Sequence, residues 1–70
     1  MNKTEVYWTL RASNIRGDKN PVTIAAPTRE EALALAEDYE YKSDPVRHAV
    51  RSEKMRKTFA ELYEQAKKGT

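Results

Sequence analysis

Side chains suited to reactive chemistry are few in this sequence and stand far apart. His48 is the lone histidine, cysteine is absent, and the only glycines are Gly17 and Gly69. A G-x-S-x-G nucleophile elbow and a glycine-rich phosphate loop both need glycines at fixed offsets from a nucleophile or a helix start, and these two glycines build neither. A protein-only zinc site needs about four ligands, which one histidine does not supply. His48 is thus the single candidate for proton transfer near neutral pH. In a helical reading it has Arg47 and Ala49 beside it and Asp44 and Arg51 one turn away, which points to a capping or exposed role. No catalytic residue, metal or cofactor is expected, and the chain reads as a binding protein rather than an enzyme.

Charge is the more informative chemistry. Residues 1–27 carry a net charge of plus two, residues 28–45 minus four and residues 46–70 plus four, so an acidic middle lies between basic ends. On a helix, Glu30, Ala34, Glu37 and Tyr41 would form one exposed ridge with Asp38 beside it, an anionic surface with an aromatic anchor suited to a basic groove. Arg47, Arg51 and Lys54 follow at i, i+4 and i+7 and would form a basic ridge. These seven residues, Glu30, Glu37, Asp38, Tyr41, Arg47, Arg51 and Lys54, are the candidate partner-binding positions. The same basic ridge, joined by Arg11, Arg16 and Lys19 on a β-ribbon that enters a major groove, gives the candidate nucleic-acid contacts. Three ridge cations are few for a nucleic-acid domain, whose binding rests on a larger basic excess and weakens steeply with salt. The plain alternative is that both ridges are solvated helix faces. Lys57 lies between Glu53 and Glu61, and Glu53-Lys57 and Glu64-Lys68 have the acid-before-base order that supports a helix without any ligand.

The elements that must carry these residues follow from periodicity. Val6, Trp8, Leu10 and Ala12 alternate with Glu5, Tyr7, Thr9 and Arg11, and Val22, Ile24 and Ala26 repeat the pattern, so residues 1–27 read as a β-hairpin. Tyr7, Thr9, Arg11, Thr23 and Ala25 would be its outer face. A loop of Arg16-Gly17-Asp18 pairs Ala12 with Val22 and Leu10 with Ile24, whereas a two-residue turn would set core residues against the wrong side. Two strands leave two open edges, which invites pairing with a second copy or a target. Thr28 with Glu31 three residues on is a capping box, and Ala32, Leu35, Ala36 and Tyr39 form an apolar stripe, so an acidic helix over residues 28–42 should cover the hairpin.

A basic helical segment is expected over residues 44–68, with Asp44 as cap and Pro45 at the first helical position. Val46, Ala49 and Val50 fall on one side of that helix, and Met55, Phe59, Leu62, Tyr63 and Ala66 on the other. One straight helix cannot bury both sets against one surface. Either it breaks near Ser52, a competent cap, or it offers an apolar patch to something else.

The fold class is therefore α+β, a single small domain with an N-terminal hairpin, a covering helix and a C-terminal helix. A chain of 70 residues buries only about 60% of its unfolded surface, so stability is marginal and a homodimer or larger partner is in view. No apolar run approaches a membrane span, no signal peptide opens the chain, and a cytoplasmic location without membrane contact is expected.

From residue 3 to about residue 42, the order of a hairpin followed by the "PTREEALALAED" helix resembles the opening of small phage-encoded anti-CRISPR proteins and, as a second choice, the hairpin-helix half of HicB-type antitoxins. Both resemblances are architectural, cover a little over half the chain and transfer no functional residue. The first implies a compact, cofactor-free inhibitor, in the bacterial host cell, that blocks a nucleic-acid-handling protein complex through its charged helix faces. The second implies a dimeric DNA-binding regulator.

Overall fold

The computed structural model describes residues 4–14 and 20–68. Its elements are β1 (Val6–Ser13), β2 (Val22–Ala26), α1 (Arg29–Leu35), β3 (Tyr41–Lys42), β4 (Val46–Ala49) and α2 (Glu53–Lys68), an α+β arrangement. β1 is the centre of a four-stranded antiparallel sheet: β2 runs along one side, and β3 and β4 lie end to end along the other. The hairpin register sets Leu10 opposite Ile24 and Ala12 opposite Val22, as the three-residue loop requires. The loop itself, with Arg16 and Lys19, lies outside the described residues. Asn20 leaves it with φ 59°, a left-handed conformation that asparagine tolerates better than most residues.

The third row of the sheet is the main departure from the helical reading. Thr9 faces Val46 and Ala12 faces Lys42, so Leu10 and Arg11 oppose residues 43–45, one residue more on the outer strand. This is a β-bulge. Ser43 stitches it to β1: its N–H donates to the Arg11 carbonyl at 2.8 Å and its hydroxyl accepts from the Arg11 N–H at 2.9 Å. Pro45, which has no N–H to give, sits in the bulge, where a ladder loses nothing by it. The Asp44-Pro45 pair thus opens a strand and not a helix. Pairing with the second edge of β1 overrides the local preference of this short segment for a helix.

The acidic helix is likewise shorter than residues 28–42. Thr28 caps it, its hydroxyl accepting from the Glu31 N–H at 3.1 Å. The ladder then tightens: the Ala36 N–H meets both Ala32 and Leu33 carbonyls, and the Glu37 and Tyr39 N–H groups reach back only three residues, to Ala34 and Ala36. Lys42 closes this end, its ammonium 3.4 Å from the Ala36 and Glu37 carbonyls, a cation at the negative end of the helix. Ser52 marks the start of α2 and not a break within a helix, because β4 and not a helix precedes it. Ser52 accepts from the Met55 N–H at 3.2 Å, and α2 starts at the next residue.

One cluster holds the layers together. Leu10, Ala12, Ile24 and Ala26 from one sheet face meet Ala32 and Ala36 of α1 and its C-terminal turn, with Trp8, Leu33, Leu35, Tyr39, Tyr63 and Ala66 packed around them half-buried. The alanines let helix and sheet approach closely, but they bury little apolar area each. α2 has no fully buried residue. It packs chiefly against β2 and supplies both Tyr63 and Ala66 to this cluster and Phe59 to the opposite sheet face.

Candidate binding surfaces

Directly opposed residues in an antiparallel sheet share a face, so the register sorts the candidate residues. Tyr7, Thr9, Ala25, Val46 and His48 lie on one face with Arg11, Thr23 and Tyr41. Trp8, Leu10 and Ala12 lie on the other with Arg47 and Lys42.

At one end the first face is closed. Phe59 of α2 stacks on Tyr7 at a ring distance of 5.3 Å and lies 5.5 Å from the His48 ring, leaving Tyr7 only 9% exposed and Ala25 fully buried. His48 Nε2 is 2.8 Å from the Thr9 hydroxyl. It is neither a cap nor an exposed side chain, but a half-buried strand residue held by a hydroxyl and an aromatic ring. The expected outer face of Tyr7, Thr9 and Ala25 is therefore largely covered, because α2 folds back over it.

Toward the other end of that face Ser13 is fully buried, but its neighbours there are not. Arg11 and Thr23 are solvent-exposed, Tyr41 is 46% exposed and Val46 54%. Tyr41 stands opposite Ser13 and Val46 opposite Thr9, so the two flank the exposed Arg11 along the sheet. Of these, tyrosine and arginine are residue types enriched at the centres of protein interfaces.

The two helical ridges are not formed. Glu30 is on α1, Glu37 and Asp38 are exposed in the turn after it, and Tyr41 belongs to β3, on the face opposite the one Lys42 uses to reach that turn. The acidic residues and their aromatic anchor thus leave the molecule from different sides. Arg47 is on β4 beside Trp8, Arg51 lies between β4 and α2, and Lys54 is in the first turn of α2, all three exposed. Spacing at i, i+4 and i+7 aligns side chains only on a continuous helix, and β4 ends that continuity.

Arg56, which has no partner-binding assignment from sequence, is drawn into the structure instead. It donates to Glu5 at 2.8 Å and also to Glu53, three residues back. Hydrogen bonds to Glu5 and then Glu53 raise its pKa above the ordinary arginine value. Glu53 is thereby committed to Arg56 and not to Lys57. Tyr63 donates its hydroxyl to the Glu31 carboxylate, so the reciprocal half of the expected capping box is replaced by a tie between the two helices. That hydrogen bond, with burial second, raises the Tyr63 pKa.

Among the described residues there is no cluster of histidine and carboxylate side chains placed to hold a metal, and no helix long and apolar enough to cross a membrane. No protein family, curated protein or solved structure matches the chain.

Proposed function

We propose that this chain is a small non-catalytic binding protein, an inhibitor or adaptor of the phage-encoded anti-CRISPR kind, that docks on a protein complex handling nucleic acid. The observation that supports the reading is the exposure of Tyr41 and Val46 on either side of the exposed Arg11 on one sheet face. A rigid sheet presents these side chains at low entropic cost, and a buried tyrosine and arginine dominate many protein interfaces. The contact surface is thus a sheet face and not the charged helix faces that the sequence suggests. The inhibitor part of the proposal rests on the resemblance of the sequence of residues 3–42 to the opening of small phage-encoded anti-CRISPR proteins.

Tyr41→Ala and Arg11→Glu each test the surface, since both side chains point to solvent and their loss leaves the core intact. Each should weaken a purified complex by tenfold or more, about 1.4 kcal/mol or above. Complex formation unchanged by both would exclude this face.

Direct nucleic-acid binding as a dimeric regulator is the second reading. Arg47, Arg51 and Lys54 are its remaining described cations outside the sheet face, and Arg56 beside them is already neutralised by Glu5 and Glu53. Arg47→Glu combined with Arg51→Glu should then abolish a salt-sensitive affinity for duplex DNA, while unchanged affinity removes this reading.

A further inference from the structure

Among the described residues, the outer row of the sheet is an unpaired edge, and its sequence is complementary to itself. Among the described residues, β3 and β4 pair only with β1. The Val50 N–H donates to the Glu5 carbonyl and the Ser43 N–H to the Arg11 carbonyl. Antiparallel ladders alternate, so Tyr41, His48 and Val46 spend their backbone groups on β1, while Lys42, Arg47 and Ala49 turn theirs outward. The bulge changes the parity between the two halves: even-numbered Lys42 and odd-numbered Arg47 and Ala49 face the same way.

We infer that this edge joins a second copy of the chain by antiparallel strand pairing about a two-fold axis between Pro45 and Val46. In that register Ala49 meets Lys42 of the second copy, both with outward backbone groups, so the parity shift lets the two arms on either side of the axis pair. Asp44 then faces Arg47 of the second copy and, just outside, Glu40 faces Arg51 of the second copy. All four are exposed in the single chain. Each pair occurs twice by symmetry, and opposite charges directly across a ladder are favourable where like charges are not. On the other face Tyr41 meets Val50 of the second copy, which covers part of the apolar surface the monomer exposes. Pro45 falls next to the axis at a position that needs no N–H. The competing register that sets Arg47 against Arg47 of the second copy brings like charges together.

The axis is perpendicular to the sheet, because every pairing above joins residues of the same face. Both open faces therefore lie on one side of a continuous sheet. This inference stands independently of what that face binds.

Sedimentation equilibrium of the full chain at low salt tests it. The expected mass is that of two chains. Arg47→Asp alone and Asp44→Arg alone should each raise the dissociation constant of the dimer by about tenfold or more, since one substitution acts twice. The double variant, with the charges exchanged, should return it to near the wild-type value. Unchanged far-ultraviolet circular dichroism checks that each variant is folded, and either single variant suffices if the other is not. A single-chain mass at every concentration for the wild type overturns the inference. So does an exchanged-charge variant no more dimeric than the single ones.

Discussion

Tyr63 shows how a single side chain can tie elements together that the sequence presents as separate. Its hydroxyl donates to Glu31, and the resulting rise in pKa fixes the sign of a pH dependence. A phenol whose folded pKa lies above its unfolded value, about 10, contributes stability in full below that value and loses it as pH climbs through the folded pKa. The melting temperature of the wild type should therefore fall on passing from neutral pH to above pH 10 by more than that of Tyr63→Phe, which lacks the donor. Equal falls in the two proteins would contradict the tie. Glu31 was legible as half of a capping box because Thr28 stands three residues before it. Its true partner was not, since a contact between residues 31 and 63 depends on how α2 is laid across the sheet. Arg56 teaches the same lesson: helical spacing offered Glu53 to Lys57, but Glu5 of the N-terminal segment draws Arg56 in, and Glu53 joins that pair.

At the scale of elements, the hairpin, its register and the start of both helices follow from local signals. Alternation over residues 6–12 and 22–26, Thr28 and Ser52 each act within a few residues of where they stand. The helix cap at Ser52 should be measurable on its own: Ser52→Ala is expected to lower unfolding free energy by about 1 kcal/mol in urea titration, and an unaltered midpoint would remove the cap from the account. What local signals misstate is residues 36–50. No glycine or proline stops α1 after Leu35, and Asp44-Pro45 is as good a helix start as the chain contains. The decision belongs to β1, whose second edge has eight residues of backbone to satisfy and finds its partner about thirty residues on. Once residues 46–49 are a strand, the two apolar sides that puzzle a helical wheel become ordinary. Val46 and His48 alternate with Arg47 and Ala49 across a sheet, and only the residues from Met55 onward obey a helical period.

At the scale of the whole molecule, the core among the described residues is built largely of alanine, with Leu10 and Ile24 as its well-buried larger aliphatic side chains. Removing one should be costly in proportion: Ile24→Ala is expected to destabilise by about 2–5 kcal/mol, enough to unfold much of the population of a domain this small, as thermal or urea unfolding would report. A loss below about 1 kcal/mol would mean that Ile24 is not central. A core this lean suits a protein completed by what it binds. Under the proposed reading the exposed Arg11, Tyr41 and Val46 would meet a target, and the proposed pairing of the bulged edge would set two such faces side by side. The measurement that tests the central claim most directly is a tagged pull-down from nuclease-treated bacterial lysate, run in parallel with the wild type and Tyr41→Ala and read by mass spectrometry. A stoichiometric protein complex that survives nuclease is expected with the wild type, depleted at least tenfold with Tyr41→Ala. Recovery of the bait alone, with DNA retained only when nuclease is omitted, would contradict it.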